Sequence, residues 1–150
     1  MFKKIVLGSV IVLSALMTGC ASVPMASKDM DVASKQFNPP SDGKAGLYVY
    51  RNSFVGQALK KNVFLDGKMI GESANKVYFY QEIDAGKHTL STESEFGDNA
   101  VSFDANPGQN YFFEQYIKMG VFVGGANLKQ VEEAEGKAAV RQCRLAKSLL

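Results

Sequence analysis

From Gly46 onward the chain alternates short β-prone runs with turn residues, a pattern that predicts strands rather than helices. Leu47-Tyr48-Val49-Tyr50 is apolar or aromatic at every position and reads as a buried strand ending at Arg51-Asn52-Ser53. Val63-Phe64-Leu65 and Lys68-Met69-Ile70 flank Asp66-Gly67, a strong hairpin signal because a type I′ turn needs positive φ at both central residues. Residues 77–83 form a strand with aromatics on both faces, and residues 88–95 follow Asp84-Ala85-Gly86-Lys87 as its hairpin partner. Gly97-Asp98-Asn99 and Asn106-Pro107-Gly108-Gln109 bracket Val101-Ser102-Phe103. Residues 111–118 then alternate Tyr111, Phe113, Gln115 and Ile117 against Phe112, Glu114, Tyr116 and Lys118. Seven or eight short strands with regularly spaced turns predict an antiparallel β-sandwich or small barrel. No helical pattern separates the strands, which excludes a doubly wound fold.

The two ends of the chain carry different periods. At the C-terminus Ala139, Cys143, Ala146 and Leu150 share one helical face. Glu132, Glu133 and Glu135 stand near its start and Arg141, Arg144 and Lys147 near its end, as the helix dipole favours. A short helix over 132–147 is expected, weakened at Gly136 by about 1 kcal/mol relative to Ala. At the N-terminus Lys3 and Lys4 precede an apolar run over 5–16, and Met17-Thr18-Gly19-Cys20 follows. The run is shorter than the ~20 apolar residues a membrane-spanning helix requires. A basic start, a short apolar stretch and small residues before the cut describe a secretory signal. The cysteine after the small pair makes it a lipobox, although Met17 stands where Leu is usual.

On this reading residues 1–19 are a signal peptide and Cys20 is the lipid-attachment site and mature N-terminus. Its thiolate takes a diacylglycerol as a thioether, and cleavage frees an amine for a further acyl chain. One chain gives reversible membrane binding, whereas two or three hold essentially permanently. Ala21 rather than Asp after the cysteine favours the outer membrane, with the domain facing the periplasm. Residues 20–44 are expected to be a tether, with 27–37 either a short helix or flexible chain, spanning about 25–30 Å. Residues 45–150 form the sandwich domain with its C-terminal helix.

The anchor changes the charge balance. The whole chain has 17 basic and 15 acidic residues, and loss of Lys3 and Lys4 leaves 15 of each. A neutral mature protein in an envelope compartment gives no reason to expect nucleic acid as a partner. With Cys20 lipidated, Cys143 is the remaining thiol of the two cysteines, so no intramolecular disulfide can form, and Cys143 is expected as a small buried residue.

Candidate chemistry is sparse. His88 is the one histidine, so neither a zinc site nor a Cys143–His88 dyad is supported, and no metal or cofactor is expected. Gly71-Glu72-Ser73-Ala74-Asn75 lacks the final glycine and following helix of a nucleophile elbow. Glu93 and Glu95 share a strand face. They are the one candidate for carboxylate chemistry in an envelope hydrolase or transferase, against the simpler reading of a solvated face. Tyr48, Tyr50, Tyr78 and Tyr80 offer an aromatic face that would suit a carrier of a small apolar ligand if it lined a cavity. Gly120-Val121-Phe122-Val123-Gly124 is apolar and uncharged between glycines. It reads as a buried final strand or as an edge that meets a partner or lipid.

Leu47-Tyr48-Val49-Tyr50-Arg51, the Val63-Phe64-Leu65-Asp66-Gly67-Lys68 hairpin, Gly86-Lys87-His88-Thr89-Leu90 and Lys118-Met119-Gly120 occur in an order that resembles a family of bacterial lipoproteins, domain of unknown function 2846. The likeness runs over 35–143. Its middle section is also similar to PEGA-type β-sandwich modules of envelope proteins. The resemblance implies a β-sandwich envelope lipoprotein and brings no catalytic residues. The sequence-level expectation is therefore a non-catalytic binding or structural module. It would be fixed to a membrane through Cys20 and engage an envelope protein, peptidoglycan or another copy, with 120–124 as the candidate surface. A Cys20→Ser variant is expected to accumulate as an unprocessed or mislocalised precursor with its sandwich intact. Fractionation that found it cleaved yet tightly membrane-bound would refute the lipid assignment.

Overall fold

The computed structural model describes residues 22–94, 97–119 and 124–150. Among them the chain forms helix α1 (Lys28–Ser34), then strands β1 (Lys44–Arg51), β2 (Lys61–Leu65), β3 (Lys68–Ser73), β4 (Val77–Asp84), β5 (Gly86–Ser94), β6 (Gly97–Ala105), β7 (Asn110–Met119) and β8 (Gly124–Val131). Helix α2 (Glu133–Arg141) and the short β9 (Arg144–Leu145) complete it. The strands make two sheets, ordered β8-β7-β1-β4-β9 and β3-β2-β5-β6. The expected sandwich is therefore present, but β4 and β5, expected as a hairpin, fall in different sheets, β5 pairing with β2 and β6, and the five-stranded sheet holds two parallel pairings. β1 pairs with β7, and β4 with β9, in parallel. Parallel neighbours need a long crossover, and the whole second sheet, together with β4, lies in the chain between β1 and β7.

Alternation of side chains builds the core. Ala45, Leu47 and Val49 of β1 point inward with Phe79 of β4 and Phe113 of β7, meeting Val63, Ile70 and Leu90 of the other sheet. The predicted hairpin is formed as expected, with Asp66 at φ 49° and Gly67 at φ 77°. A bulge at Val63/Phe64 adjusts its register. Gln115, though polar, is fully buried between the sheets in a directed chain of hydrogen bonds. Ser73 donates to Gln115 Oε1, Gln115 Nε2 donates to Thr92 Oγ1 at 2.7 Å, and Thr92 Oγ1 donates to the Asn62 carbonyl at 2.7 Å. A buried polar group without such partners would cost about 1–3 kcal/mol.

The five-stranded sheet is apolar on its outer face as well. Tyr48, Tyr50, Tyr78 and Phe112 point away from the sandwich into a second cluster with Phe37, Val140, Cys143 and Leu145. Tyr48 stacks on Phe112 with ring centroids 4.8 Å apart, and Phe37 closes over both rings at 5.4 and 5.9 Å. The cover comes from both chain ends, so the stretch 22–43, expected as a tether or short helix, is docked structure. Ser27 caps α1 through Met30 N, and Asp31 pins the helix down. The Asp31 carboxylate accepts from Tyr78 Oη at 2.9 Å, Leu145 N at 3.0 Å and Lys35 Nζ at 2.9 Å. Burial works against its charge, but these three donors outweigh it and hold Asp31 below the usual carboxylate range.

The C-terminal helix stops earlier than the 132–147 expected. After Arg141 the chain turns extended because the outer edge of β4 has unpaired backbone groups to satisfy. Arg144 N donates to Lys76 O at 3.0 Å and Ala146 N to Tyr78 O at 2.8 Å. The tail then passes Pro24, whose carbonyl accepts from Lys147 N at 2.9 Å. It reaches β3, where Leu149 N donates to Ile70 O at 2.8 Å, and so seals one side of the sandwich. Cys143 and Ala146, expected on one helical face, instead enter different clusters, one outside the sheet and one inside it.

Gly136 lies in α2 directly against the Phe112 ring, where an added Cβ would overlap the ring atoms. The close approach explains a glycine in mid-helix. Gly136→Ala is therefore expected to lower stability by about 1–3 kcal/mol through overpacking, despite Ala's better helix propensity. Denaturant unfolding that showed the variant as stable as the parent would contradict this packing.

Candidate functional site

The apolar segment 120–124 joins β7 to β8. Residues 120–123, like Cys20 and Glu95, lie outside the described residues. Gly124 is described and is buried. It pairs with Met119, and a Cβ there would collide with Leu59 and press on Ile117. Gly124 thus makes room for the loop 52–60, whose Gly56 packs on Ile117 in the same way. The loop and the adjoining ends of β7 and β8 form one end of the molecule. That end exposes large apolar side chains: Phe54 is 81% exposed, Met119 77% and Val55 about half.

The same end buries a charge. Arg51, the last residue of β1, is 1% exposed. One guanidinium nitrogen, Nη2, donates to Leu59 O, while Nε and Nη1 have no hydrogen-bond partner among the described residues. Among the described residues no carboxylate pairs with it. Burial draws its pKa down to about 10, so the group still carries its proton at neutral pH. An uncompensated buried cation is costly, by several kcal/mol. Sequence alone missed this feature because Arg51 reads as a polar strand terminator.

A second feature lies on the outer face, beyond the other half of β1. A cleft of about 750 Å³ opens between α1, the outer face of β4 and the C-terminal tail. Met25, Met30, Ala33, Leu145 and Leu150 line it with Tyr48 and Tyr80, and Gln81, Glu82, Lys147 and Ser148 supply polar groups. The tyrosine face foreseen from sequence is thereby divided. Tyr48 and Tyr80 line the cleft from the edge of the covered cluster, of which Tyr48 is a buried member, while Tyr50 and Tyr78 lie in that cluster without lining the cleft.

The remaining candidates are accounted for locally. Ser73 is buried and donates its hydroxyl hydrogen bond to Gln115 Oε1, with no base beside it among the described residues. Glu93 accepts from Asn62 N at 3.0 Å, at the start of β2. Cys143 is buried, with Sγ 3.7 Å from the Arg51 carbonyl, and burial pushes its thiol up to about 12. It remains a neutral apolar thiol at physiological pH.

Residues 41–126, more than half of the chain, match the family described as Protein of unknown function (DUF2846). The chain belongs to this family. The matched stretch holds both sheets from β1 to the start of β8, so α1, α2 and β9 lie outside it. A Haemophilus influenzae (strain ATCC 51907 / DSM 11121 / KW20 / Rd) protein described as uncharacterized is 51% identical over 140 residues, covering 93% of this chain and 83% of that protein. No solved structure matches.

Within the matched region, the Gly86-Lys87-His88 turn forms a clasp. His88 Nδ1 lies 2.6 Å from Asp66 Oδ2 and Nε2 lies 2.7 Å from the Asp84 carbonyl. Both partners accept, so both ring nitrogens act as donors and the geometry suits the imidazolium form. Burial opposes that charge, but the Asp66 carboxylate and the Asp84 carbonyl outweigh it and raise His88 above its ordinary value. The clasp ties the β2–β3 turn to the β4–β5 turn and leaves neither nitrogen free as a metal ligand. Its stabilisation is fully present below the unfolded histidine pKa, about 6.5, and is lost as pH rises through the raised native value. With a single histidine in the chain, thermal stability should decline from about pH 6 upward through that value. His88→Gln should flatten the decline and cost about 1 kcal/mol at the acid side. Melting curves in which the variant kept the parent's pH dependence would refute the assignment.

Proposed function

We propose that this protein is a lipid-anchored component of the cell envelope, attached through Cys20 to the outer membrane and facing the periplasm. Its sandwich is a non-catalytic binding module. The anchor rests on the Met17-Thr18-Gly19-Cys20 motif after a short apolar run, together with a mature chain of balanced charge. The binding role rests on one observation. The end formed by the loop 52–60 and the adjoining ends of β7 and β8 breaks two rules of a stable surface at once. It exposes Phe54, Val55 and Met119, and it buries the Arg51 cation, which has no carboxylate partner among the described residues. Departures from self-consistent folding concentrate where a chain works rather than where it merely folds.

Apolar side chains gain from burial against apolar surface, so the partner read here is an envelope protein rather than the polar glycan of peptidoglycan. The sequence-adjacent Val121 and Phe122 extend the same apolar composition. Deleting the whole 121–123 run would leave one residue between the paired Met119 and Gly124, too few to close a β7–β8 hairpin, so substitution is the cleaner test. In-cell cross-linking of the full chain is expected to capture a discrete partner, and Val121→Ser with Phe122→Ser should remove that product while the melting temperature is retained. A folded double variant with unchanged cross-links would discard this end as the binding surface.

A further inference from the structure

The docked N-terminus has a consequence for orientation, given the reading that Cys20 carries the lipid. Met25 pairs with Ala146 and lines the cleft. Cys20 stands five positions before it, and five residues of fully extended chain span at most ~18 Å. The packed body is therefore held close to the lipid, and the cleft is the part held closest. The expected 25–30 Å of free tether does not separate them.

The rim of the cleft fits that position. Met30 on α1 is 60% exposed, and Leu149 and Leu150 at the tail are 67% and 48% exposed. These are large apolar side chains on the two segments that form its mouth. Lys147 is the basic group on the wall. The acidic one, Glu82, is engaged by Ser41, whose N and Oγ lie 3.1 and 2.7 Å from its carboxylate oxygens. We propose that this face is the protein's membrane-contact surface. Met30, Leu149 and Leu150 enter the interface of the anchoring bilayer, and the cleft opens onto its phospholipid and admits acyl-chain carbon. The end bearing Phe54 and Met119, beyond the opposite end of β1, is then turned away from the membrane.

The chain contains no tryptophan, so single tryptophans report without background. The full lipidated protein, carrying Met30→Trp, Leu150→Trp or Phe54→Trp, is reconstituted into phosphatidylethanolamine–phosphatidylglycerol vesicles with brominated acyl chains. All three positions are exposed, so the fold should tolerate each change. At the ~5–10 Å depth reached by interfacial apolar side chains, the Met30→Trp and Leu150→Trp reporters should lose about half of their emission, and Phe54→Trp almost none. Equal emission at all three positions in protein that floats with the vesicles would overturn the membrane face, and so would quenching confined to Phe54→Trp. Brominated oleate in unbrominated vesicles that quenched Leu150→Trp, where brominated phospholipid did not, would make the cleft a carrier site and overturn it too. Mass spectrometry of the N-terminal peptide separates the failures: a Cys20 without lipid sinks the anchoring reading, and this surface with it.

Discussion

The rest of the structure depends on a five-stranded sheet that is apolar on both faces. β1 is buried from Ala45 to Arg51, with Leu47 and Val49 facing one cluster and Tyr48 and Tyr50 the other. A sandwich of two sheets can satisfy only one of those faces. Tyr48, Tyr78 and Phe112 would otherwise stand in water, each forgoing about 1.5–3 kcal/mol of burial. The chain's two ends supply the missing layer. Phe37 and α2 close over the rings, and the Asp31 carboxylate fastens α1 to Tyr78 and Leu145.

That single constraint also sets the polarity of the molecule. Because the N-terminal segment lies along the sheet and pairs at Met25 with Ala146, it delivers the proposed anchor to the cleft side. The loop 52–60 and the β7–β8 end stand beyond the other end of β1, where Phe54 and Met119 are exposed and Arg51 is buried. A membrane-facing side and a partner-facing side, on this reading, follow from how the outer aromatic face is covered. The same packing removes Cys143 from chemistry, since it sits in the covered cluster as a neutral thiol.

Much of the fold was legible residue by residue wherever local chemistry decides. Asp66-Gly67 turned as its composition requires, and the alternation in 111–118 separated the core side, Phe113, Gln115 and Ile117, from the outer side. β8 was not legible: Gly124-Gly125-Ala126-Asn127 has little β propensity, and it is a strand because β7 pairs with it along its length. The candidate site divides the same way. The sequence singled out 120–124, but Gly124 proved to be buried beneath Leu59. The neighbouring Phe54, Val55 and Arg51 carried no signal, because their meeting with the β7–β8 end depends on loop packing across the fold.

By itself the sequence determined the all-β class, the Asp-Gly hairpin and the family, and it carries the motif on which the proposed lipidation of Cys20 rests. These rest on local patterns: alternation at period two, turn dihedrals that few residues adopt, and a short linear signal. Only the tertiary structure decided that α2 ends at Arg141 so that Arg144 and Leu145 can pair with β4, that Gly136 yields to the Phe112 ring, and that residues after Ser22 are packed rather than free. Each is the demand of a surface contributed by distant parts of the chain. An open strand edge or an uncovered aromatic face comes into being only once the sheets have assembled.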